Sequence, residues 1–413
     1  MRLFADTAPL RSPQFRRLWL AGIPTVIGAN LTVFAVPVQI YALTGNSAYV
    51  GLAGVFALVP LVVFGLLGGA WADAMNRRTL LLIASIGLAV TSLLLWVQAV
   101  QGAGVWMVLC LLAVQQGFYA VHSPTRAAAI PRMVPGAQLA AANALNMTVM
   151  QFGAIVGPLL AGLLLGWVDL STLYLIDAVT CVFPILATCR LDSMPPVEPI
   201  AVGVAAIWGG FAYLAGNTVV LMSFVVDLIA MVLGLPRALF PQIAAANFGG
   251  PMEGGTTMAL LAAAMSVGAV AGGVFSGWLP RITRPGRAVV VSIVIFGAAM
   301  LGFGVAVGSG SGHPGPALWV GLAFLAVGGA ADMVSAAFRS AMIQRVGSDD
   351  FQGRLQGVFT VIVVGGPRLA DALHGAAGAV VGAAAAAAGG GALVVVGVLV
   401  AAIAVPAFVG YRG

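Results

Sequence analysis

The stretch "GGAWADAMNRRTLLL", Gly68 to Leu82, decides the fold, because it places three charges, Asp73, Arg77 and Arg78, between two long apolar runs. Only 7% of the residues in the whole chain are charged, whereas a soluble domain has about 25%. A short charged loop between apolar runs is typical of the water surface between two transmembrane helices. The stretch therefore predicts a membrane protein that crosses the bilayer on both sides of this loop.

The composition of the 413 residues agrees, with 61% hydrophobic residues and a mean hydropathy of +1.08. The apolar runs are continuous rather than alternating, which favours a helix bundle over a barrel. All 18 basic residues are arginine, so an ATP site of the Walker type, which needs a lysine, is excluded. The three cysteines lie in apolar runs and are expected to be core residues. We expect no enzyme, no metal site and no nucleic-acid partner.

Twelve apolar runs of about 20 residues or more, the length that crosses a bilayer, predict an all-α protein of two pseudo-symmetric six-helix halves. The predicted domains are residues 1–189, a linker at 190–216 with an interfacial helix, and 217–413. Such repeats are typical of secondary transporters, and we expect a monomer. The predicted spans are 17–43, 48–72, 78–99, 104–130, 137–165, 171–189, 217–247, 255–280, 287–308, 316–345, 354–382 and 387–410.

The arginines predict the orientation of the bundle. With the N-terminus in the cytoplasm, 14 of the 18 arginines face the cytoplasm, in loops, in termini or at the ends of spans, and the predicted outer loops contain Asp169 and Glu253 instead. This distribution follows the positive-inside rule. Both termini are then cytoplasmic, in a multi-pass protein of the cell (inner) membrane.

The opening stretch, read from Gly69 through Asp73 to Arg77 and Arg78, resembles the signature loop of the major facilitator superfamily, although Trp71, Ala74 and Asn76 depart from the pattern. The resemblance implies a conformational latch formed by Gly69, Asp73, Arg77 and Arg78. Asp73 ends the second span, where its charge would meet the positive N-terminus of the eleventh. The alternative is that the two arginines only fix the topology.

A second motif, "GAIVGPLLAG" from Gly153 to Gly162, resembles the motif of drug and proton antiporters in this superfamily. It contributes Gly153, Gly157, Pro158 and Gly162, and it favours export over import. Small residues at this spacing also allow close helix contact, so an ordinary packing face is the alternative. We predict that this face packs against Gly268, Gly272 and Ser276 of the eighth span.

The strings "FRRLWLAG", "AVPVQIYALTG", "GLPRALFPQIA", "TRPGR" and "GRLQGV" resemble, in order and spacing, the enterobactin exporter branch of the superfamily, which macrolide efflux proteins also resemble. The resemblance implies a proton-driven exporter with alternating access that uses the proton-motive force and no cofactor. The favoured cargo is a siderophore. A multidrug or macrolide pump is one alternative, and a non-transporting membrane sensor or scaffold is another.

Charges within the spans need a reason, because each costs at least about 2.5–3.5 kcal/mol at mid-bilayer. Asp227 has no partner on its own helix, so we predict that it carries the proton, with Asp371 as second choice. Arg368 and Asp371 share a helical face, as do Asp332 and Arg339. The alternative is that ion pairs only hold the helices together.

A polar cavity is predicted from side chains on the first, fourth, seventh, tenth and eleventh spans. Arginines donate to carboxylate or catecholate oxygens, and aromatic rings stack on a ring of the cargo. Interhelical hydrogen bonding and core packing are the alternatives. The predicted cavity residues are Asn30, Phe34, Gln116, Tyr119, Arg237, Asp332, Arg339 and Arg368, with Phe338 as a further aromatic.

Overall fold

The computed structural model describes residues 6–195, 217–276, 282–346 and 349–411, and within them it leaves undescribed the side chains of 66–70, 72–74, 343–346 and 349–364. All regular secondary structure in the described ranges is helical. The predicted interfacial helix lies outside these residues.

Thirteen helices of eight residues or more follow one another along the described chain, and each has a counterpart among the predicted spans. They are α1 (Pro13–Thr44), α2 (Ser47–Ala74), α3 (Arg77–Gln101), α4 (Val105–Ala129), α5 (Leu139–Leu164), α6 (Leu170–Thr180), α7 (Val182–Cys189), α8 (Thr218–Gly234), α9 (Thr256–Val274), α10 (Pro285–Gly308), α11 (Pro316–Val346), α12 (Asp349–Val381) and α13 (Ala383–Ala404).

The number of spans agrees with the sequence. Within the described residues, 11 helical segments are long and apolar enough to cross a membrane, with α6 and α7 together forming one of them. Helix α12 occupies the remaining predicted span, 354–382. The prediction of an all-α bundle of transmembrane helices is confirmed.

The seventh predicted span, 217–247, is not one continuous helix. Helix α8 ends at Gly234, and the chain continues through a 3-10 turn (Arg237–Leu239), a short helical turn and a π turn (Ile243–Asn247). Pro236 and Pro241 explain the break, because proline lacks an N–H donor and disfavours helical backbone in the residue before it.

Contacts divide the chain into two compact units. The first unit comprises Met1–Gln39 and Phe56–Val202, and the second comprises Ile40–Val55 and Gly203–Gly413. The start of α2 belongs to the second unit because it packs closely on α12. Ser47 Oγ donates to the carbonyl of Gly375 over 3.0 Å, and a Cβ on Gly51 would lie 2.7 Å from the carbonyl oxygen of Asp371.

Within the second unit, glycines bring α9 and α11 into backbone contact. A Cβ on Gly268 would clash with the carbonyl oxygen of Ala326, and a Cβ on Gly329 would clash with that of Met265. Gly272 faces Ala330 in the same way, with a Cβ only 2.9 Å from the Cα of Ala330. Small residues of this kind are how transmembrane helices approach each other in lipid.

Candidate functional site

The loop between α2 and α3 is held by hydrogen bonds to the ends of other helices in the first unit. Asn76 caps α3, since its Oδ1 accepts from the N–H of Arg78 at 3.0 Å. The same side chain donates to Ser193 Oγ at 2.6 Å, and the N–H of Arg77 donates to the carbonyl of Met194 at 3.1 Å. The loop is therefore fixed to the chain that follows α7.

The two arginines of this loop contact helix C-termini. Arg77 donates to the carbonyl of Ala128 at 2.9 Å, and Arg78 donates to the carbonyl of Cys189 at 2.7 Å. Cations at C-terminal carbonyls are favoured by the helix dipole. The surroundings of Gly69 and of the Asp73 side chain, the other members of the predicted latch, lie outside what the structure describes, so the latch stays a prediction.

The second motif is buried on α5, where Gly153, Gly157, Pro158 and Gly162 all lie inside the first unit. The missing side chains of the first two glycines leave room for α1. A Cβ on Gly153 would clash with Val26, and one on Gly157 would clash with Asn30. The side chain of Asn30 folds back on its own helix, where its Nδ2 donates to the carbonyl of Val26 at 2.8 Å.

The predicted packing of this glycine face against Gly268, Gly272 and Ser276 joins two different units and stays a prediction. Each face is covered within its own unit, the former by α1 and the latter by α11. Both faces need a partner with exposed backbone or small side chains at matching spacing, and the neighbouring helix of the same unit supplies one.

A buried ion pair joins α8 to α11 in the second unit. Asp227 and Arg339 form a salt bridge, with side chains 0% and 5% exposed. Asp227, which has no partner on its own helix, is therefore not a lone acid, because its partner lies on another helix. Asp332, predicted to share a face with Arg339, is half-buried and interacts electrostatically with both members of the pair. Each charge offsets the other, because burying either charge without a partner would destabilise the protein by roughly several kcal/mol.

A second ion pair lies on α12. Arg368 and Asp371 are 3.8 Å apart, with side chains 27% and 14% exposed. The predicted shared face is thus observed. This pair is wider and more open than the pair between Asp227 and Arg339, so its electrostatic attraction is weaker.

The other predicted cavity residues differ in their access. Tyr119 is 39% exposed on α4, whereas Gln116 on the same helix is buried. Phe34 and Phe338 are buried at 3% and 6% exposure, so in this conformation their rings pack in the interior. Arg237 is exposed at the break that follows α8.

A polar network around Asp177 was not assigned a role from the sequence. Asp177 is 2% exposed on α6, and its Oδ2 accepts from Thr32 Oγ1 at 2.6 Å and Ser92 Oγ at 2.7 Å. Gln115 donates to Ser92 Oγ at 3.0 Å. Three helices, α1, α3 and α6, thus meet at one carboxyl group, and α4 joins the network through Ser92.

A neighbouring set of amides extends the polar interior of the first unit. Gln39 donates to Gln98 Oε1 at 3.0 Å, and Tyr174 donates to Gln39 Oε1 at 2.8 Å. The sequence shows each of these polar residues inside an apolar run. It does not show which of them meet, because that depends on the packing of distant helices.

Comparison with known families decides the identity of this bundle. The family model of the Major Facilitator Superfamily matches residues 18–370. The chain belongs to the major facilitator superfamily. It is accordingly a multi-pass membrane transporter rather than an enzyme, and the resemblance found in the loop at Gly69–Arg78 is confirmed.

Relatives within the superfamily include enterobactin exporters. The chain is 27% identical over 376 residues to the enterobactin exporter EntS of Salmonella typhi, covering 89% of this chain and 86% of that protein. It is 28% identical to EntS of Shigella boydii serotype 18 over the same share of both chains.

Solved structures show the same fold at low identity. A bacterial homologue of the iron transporter ferroportin, in its inward-facing state, matches with a TM-score of 0.69 at 16% identity, over 97% of this chain and 99% of that one. A D-xylose–proton symporter matches with a TM-score of 0.72 at 12% identity, over 94% and 97% of the two chains.

Proposed function

We propose that this transporter exports a small amphipathic organic molecule, in the first place a siderophore, by proton antiport with alternating access. The buried ion pair between Asp227 and Arg339 is the observation that supports proton coupling. The enterobactin exporters among its relatives and the antiporter-like motif on α5 support the direction and the cargo.

Proton coupling follows from the chemistry of the pair. While Asp227 is ionised, the pair holds α8 to α11 during the step that carries the cargo outward. A proton that enters from outside neutralises Asp227, breaks the pair and lets the empty carrier return, and release of the proton into the cytoplasm then restores the carboxylate and the pair. Asp371 is the second choice for this role, because 3.8 Å separates its carboxylate oxygen from the guanidinium nitrogen of Arg368, and a pair at this distance is easily broken by a proton.

The driving force is sufficient for concentrative export. One entering proton supplies about 2.3 kcal/mol per 100 mV of membrane potential and about 1.4 kcal/mol per pH unit. At 100 mV alone, one proton per cargo molecule sustains a gradient of roughly fiftyfold for an uncharged cargo, since about 1.4 kcal/mol corresponds to a factor of ten.

The cargo is recognised by donors and by a ring surface. Arg339 keeps a donor available while it is paired, since its Nε has no hydrogen-bond partner among the described residues. Arg237 and Arg368 supply further guanidinium groups for catecholate or carboxylate oxygens. Tyr119, exposed on α4, offers a face on which an aromatic ring of the cargo stacks.

The protein lies as a monomer in the inner membrane with both termini in the cytoplasm, and its two halves, 1–189 and 217–413, are joined by the linker at 190–216. Gly69, Asp73, Arg77 and Arg78 form the conformational latch on the cytoplasmic side.

The experiment that tests the proposed function is untargeted metabolite analysis of the growth medium. A deletion strain and its parent are grown with and without iron, and the deletion is complemented with the wild-type gene. We expect extracellular siderophore to fall in the deletion strain under iron starvation and to recover on complementation. Unchanged secretion together with lower macrolide resistance favours a drug pump, and no change in either favours a sensor or scaffold.

A further inference from the structure

The carboxyl group of Asp177 is the one buried acid of the first unit that forms no ion pair within the described residues. It lies on α6, within the transmembrane segment Leu170–Cys189. Its two oxygens have different surroundings. Oδ2 accepts two hydrogen bonds, from Thr32 and Ser92, whereas Oδ1 is buried without a hydrogen-bond partner among the described residues.

The donors around Asp177 are neutral, on each helix that contributes to this network. Helix α1 offers Thr32 and Gly28, α3 offers Ser92, and α4 offers Gln115, which bonds to Ser92. The titratable side chains nearby, Tyr174 and Cys181, belong to the same transmembrane segment. A carboxylate here would leave one charged oxygen desolvated with no donor, which costs more than an unpaired neutral group.

The described residues around Oδ1 form no cluster of metal-ligating side chains. Oδ1 faces Gly28 of α1, where a Cβ would lie 3.0 Å from Oδ1 and would clash with the hydroxyl of Thr180, which donates to the carbonyl of Asp177. A hard cation needs a shell of several oxygen ligands, and Gly28 has no side chain to supply one. A proton needs only the lone pair of Oδ1 itself.

We propose that Asp177 is a proton-binding site of the first unit, which takes up a proton on Oδ1 and releases it during the transport cycle. Uptake from water forms an O–H bond at Oδ1 and neutralises the carboxylate. Release returns the proton to water and leaves a carboxylate whose Oδ2 is still held by Thr32 and Ser92. This site is independent of the proposed cargo and of Asp227, since it is measured without substrate or gradient.

The test is infrared difference spectroscopy of the full chain in lipid nanodiscs, as a function of pH and without cargo. At acidic pH we expect the wild type to show a carbonyl band of a protonated carboxylic acid that Asp177→Asn lacks while it keeps the bands of the other acids, and we expect this component to disappear from the wild type as the pH rises. A carboxylic-acid spectrum of Asp177→Asn identical to that of the wild type, or a component lost in Asp177→Asn that does not change with pH, overturns the proposal. So does the absence of the band at every pH.

A matched pair of serine variants on α3 provides a test that keeps the carboxyl group. Ser92→Ala removes a donor to the ionised form, so the midpoint of the band should rise by about one to two pH units. Ser85→Ala is the control, because Ser85 is equally buried and its Oγ has no hydrogen-bond partner in the described residues. Equal midpoints in both variants contradict the proposal. A midpoint that depends on sodium concentration at fixed ionic strength also overturns it, in favour of a sodium site.

Discussion

At the residue scale, the ion pair between Asp227 and Arg339 makes the sharpest prediction. Asp227→Asn leaves Arg339 buried without its ion-pair partner, which typically costs about 3–5 kcal/mol of stability. The double variant Asp227→Asn/Arg339→Gln removes both charges and should recover most of the loss. Thermal unfolding in detergent measures both effects.

Transport separates coupling from stability in the same variants. The double variant should fold and still fail to concentrate cargo, because the proposed proton carrier, Asp227, is removed. Asp371→Asn is the comparison. If Asp227→Asn concentrates cargo against its gradient while Asp371→Asn does not, the assignment of the proton carrier is reversed.

The latch also belongs to the residue scale. Asp73→Asn should lower transport without preventing membrane insertion, since it removes the acid and leaves Arg77 and Arg78 in place. Transport assays with matched expression levels measure this effect. Wild-type transport by a normally expressed Asp73→Asn protein reduces the loop to a topology signal.

The sequence identifies the charged residues of the spans, but it does not identify partners that lie on other helices. The pair of Arg368 and Asp371 was predictable, because residues three apart on one helix share a face. The partner of Asp227 lies on another helix, and so do Thr32 and Ser92, the two side chains that donate to Asp177. Such contacts depend on helix packing, which one sequence does not reveal.

At the element scale, glycine packing distinguishes required from replaceable glycines. Gly268→Ala forces a methyl group against the carbonyl of Ala326, and overpacking of this kind costs about 1–3 kcal/mol of stability. Gly389→Ala on α13 is the matched control, since its Cβ would meet nothing within 4 Å. It should be neutral or stabilise by up to about 1 kcal/mol. Equal unfolding temperatures for the two variants would refute this account of the contact between α9 and α11.

Helix limits were largely predictable because a bilayer demands apolar runs of a fixed length. The predicted span 287–308 compares with α10 at Pro285–Gly308, and 316–345 compares with α11 at Pro316–Val346. The end of α8 at Gly234 was missed because the chain beyond it is equally apolar. Pro236 was the available signal.

At the scale of the whole molecule, the arginine distribution predicts that the loop around Arg77 and both termini are cytoplasmic. Single cysteines at Met75 and Asn46, both exposed, are placed in a background without Cys110, Cys181 and Cys189. An impermeant thiol reagent added to intact cells should label Asn46→Cys and not Met75→Cys. The opposite pattern would invert the topology.

Family membership was predictable from the sequence because the loop and the spacing of the spans are specific to the superfamily, whose family model matches residues 18–370. The cargo, by contrast, is not predictable from the sequence. Recognition depends on where a few donors such as Arg237 and Arg339 lie in each conformation, and a pattern of residues along the chain does not specify that.

The central claim is proton-driven export, and inside-out membrane vesicles test it most directly. Vesicles that contain the protein are energised so that their lumen becomes acidic, and a purified iron-free catecholate siderophore is added outside. The account predicts that the siderophore accumulates in the lumen, that a protonophore abolishes the accumulation, and that vesicles with Asp227→Asn/Arg339→Gln do not accumulate it. Accumulation no greater than in vesicles without the protein, or accumulation that survives the protonophore, would contradict the account.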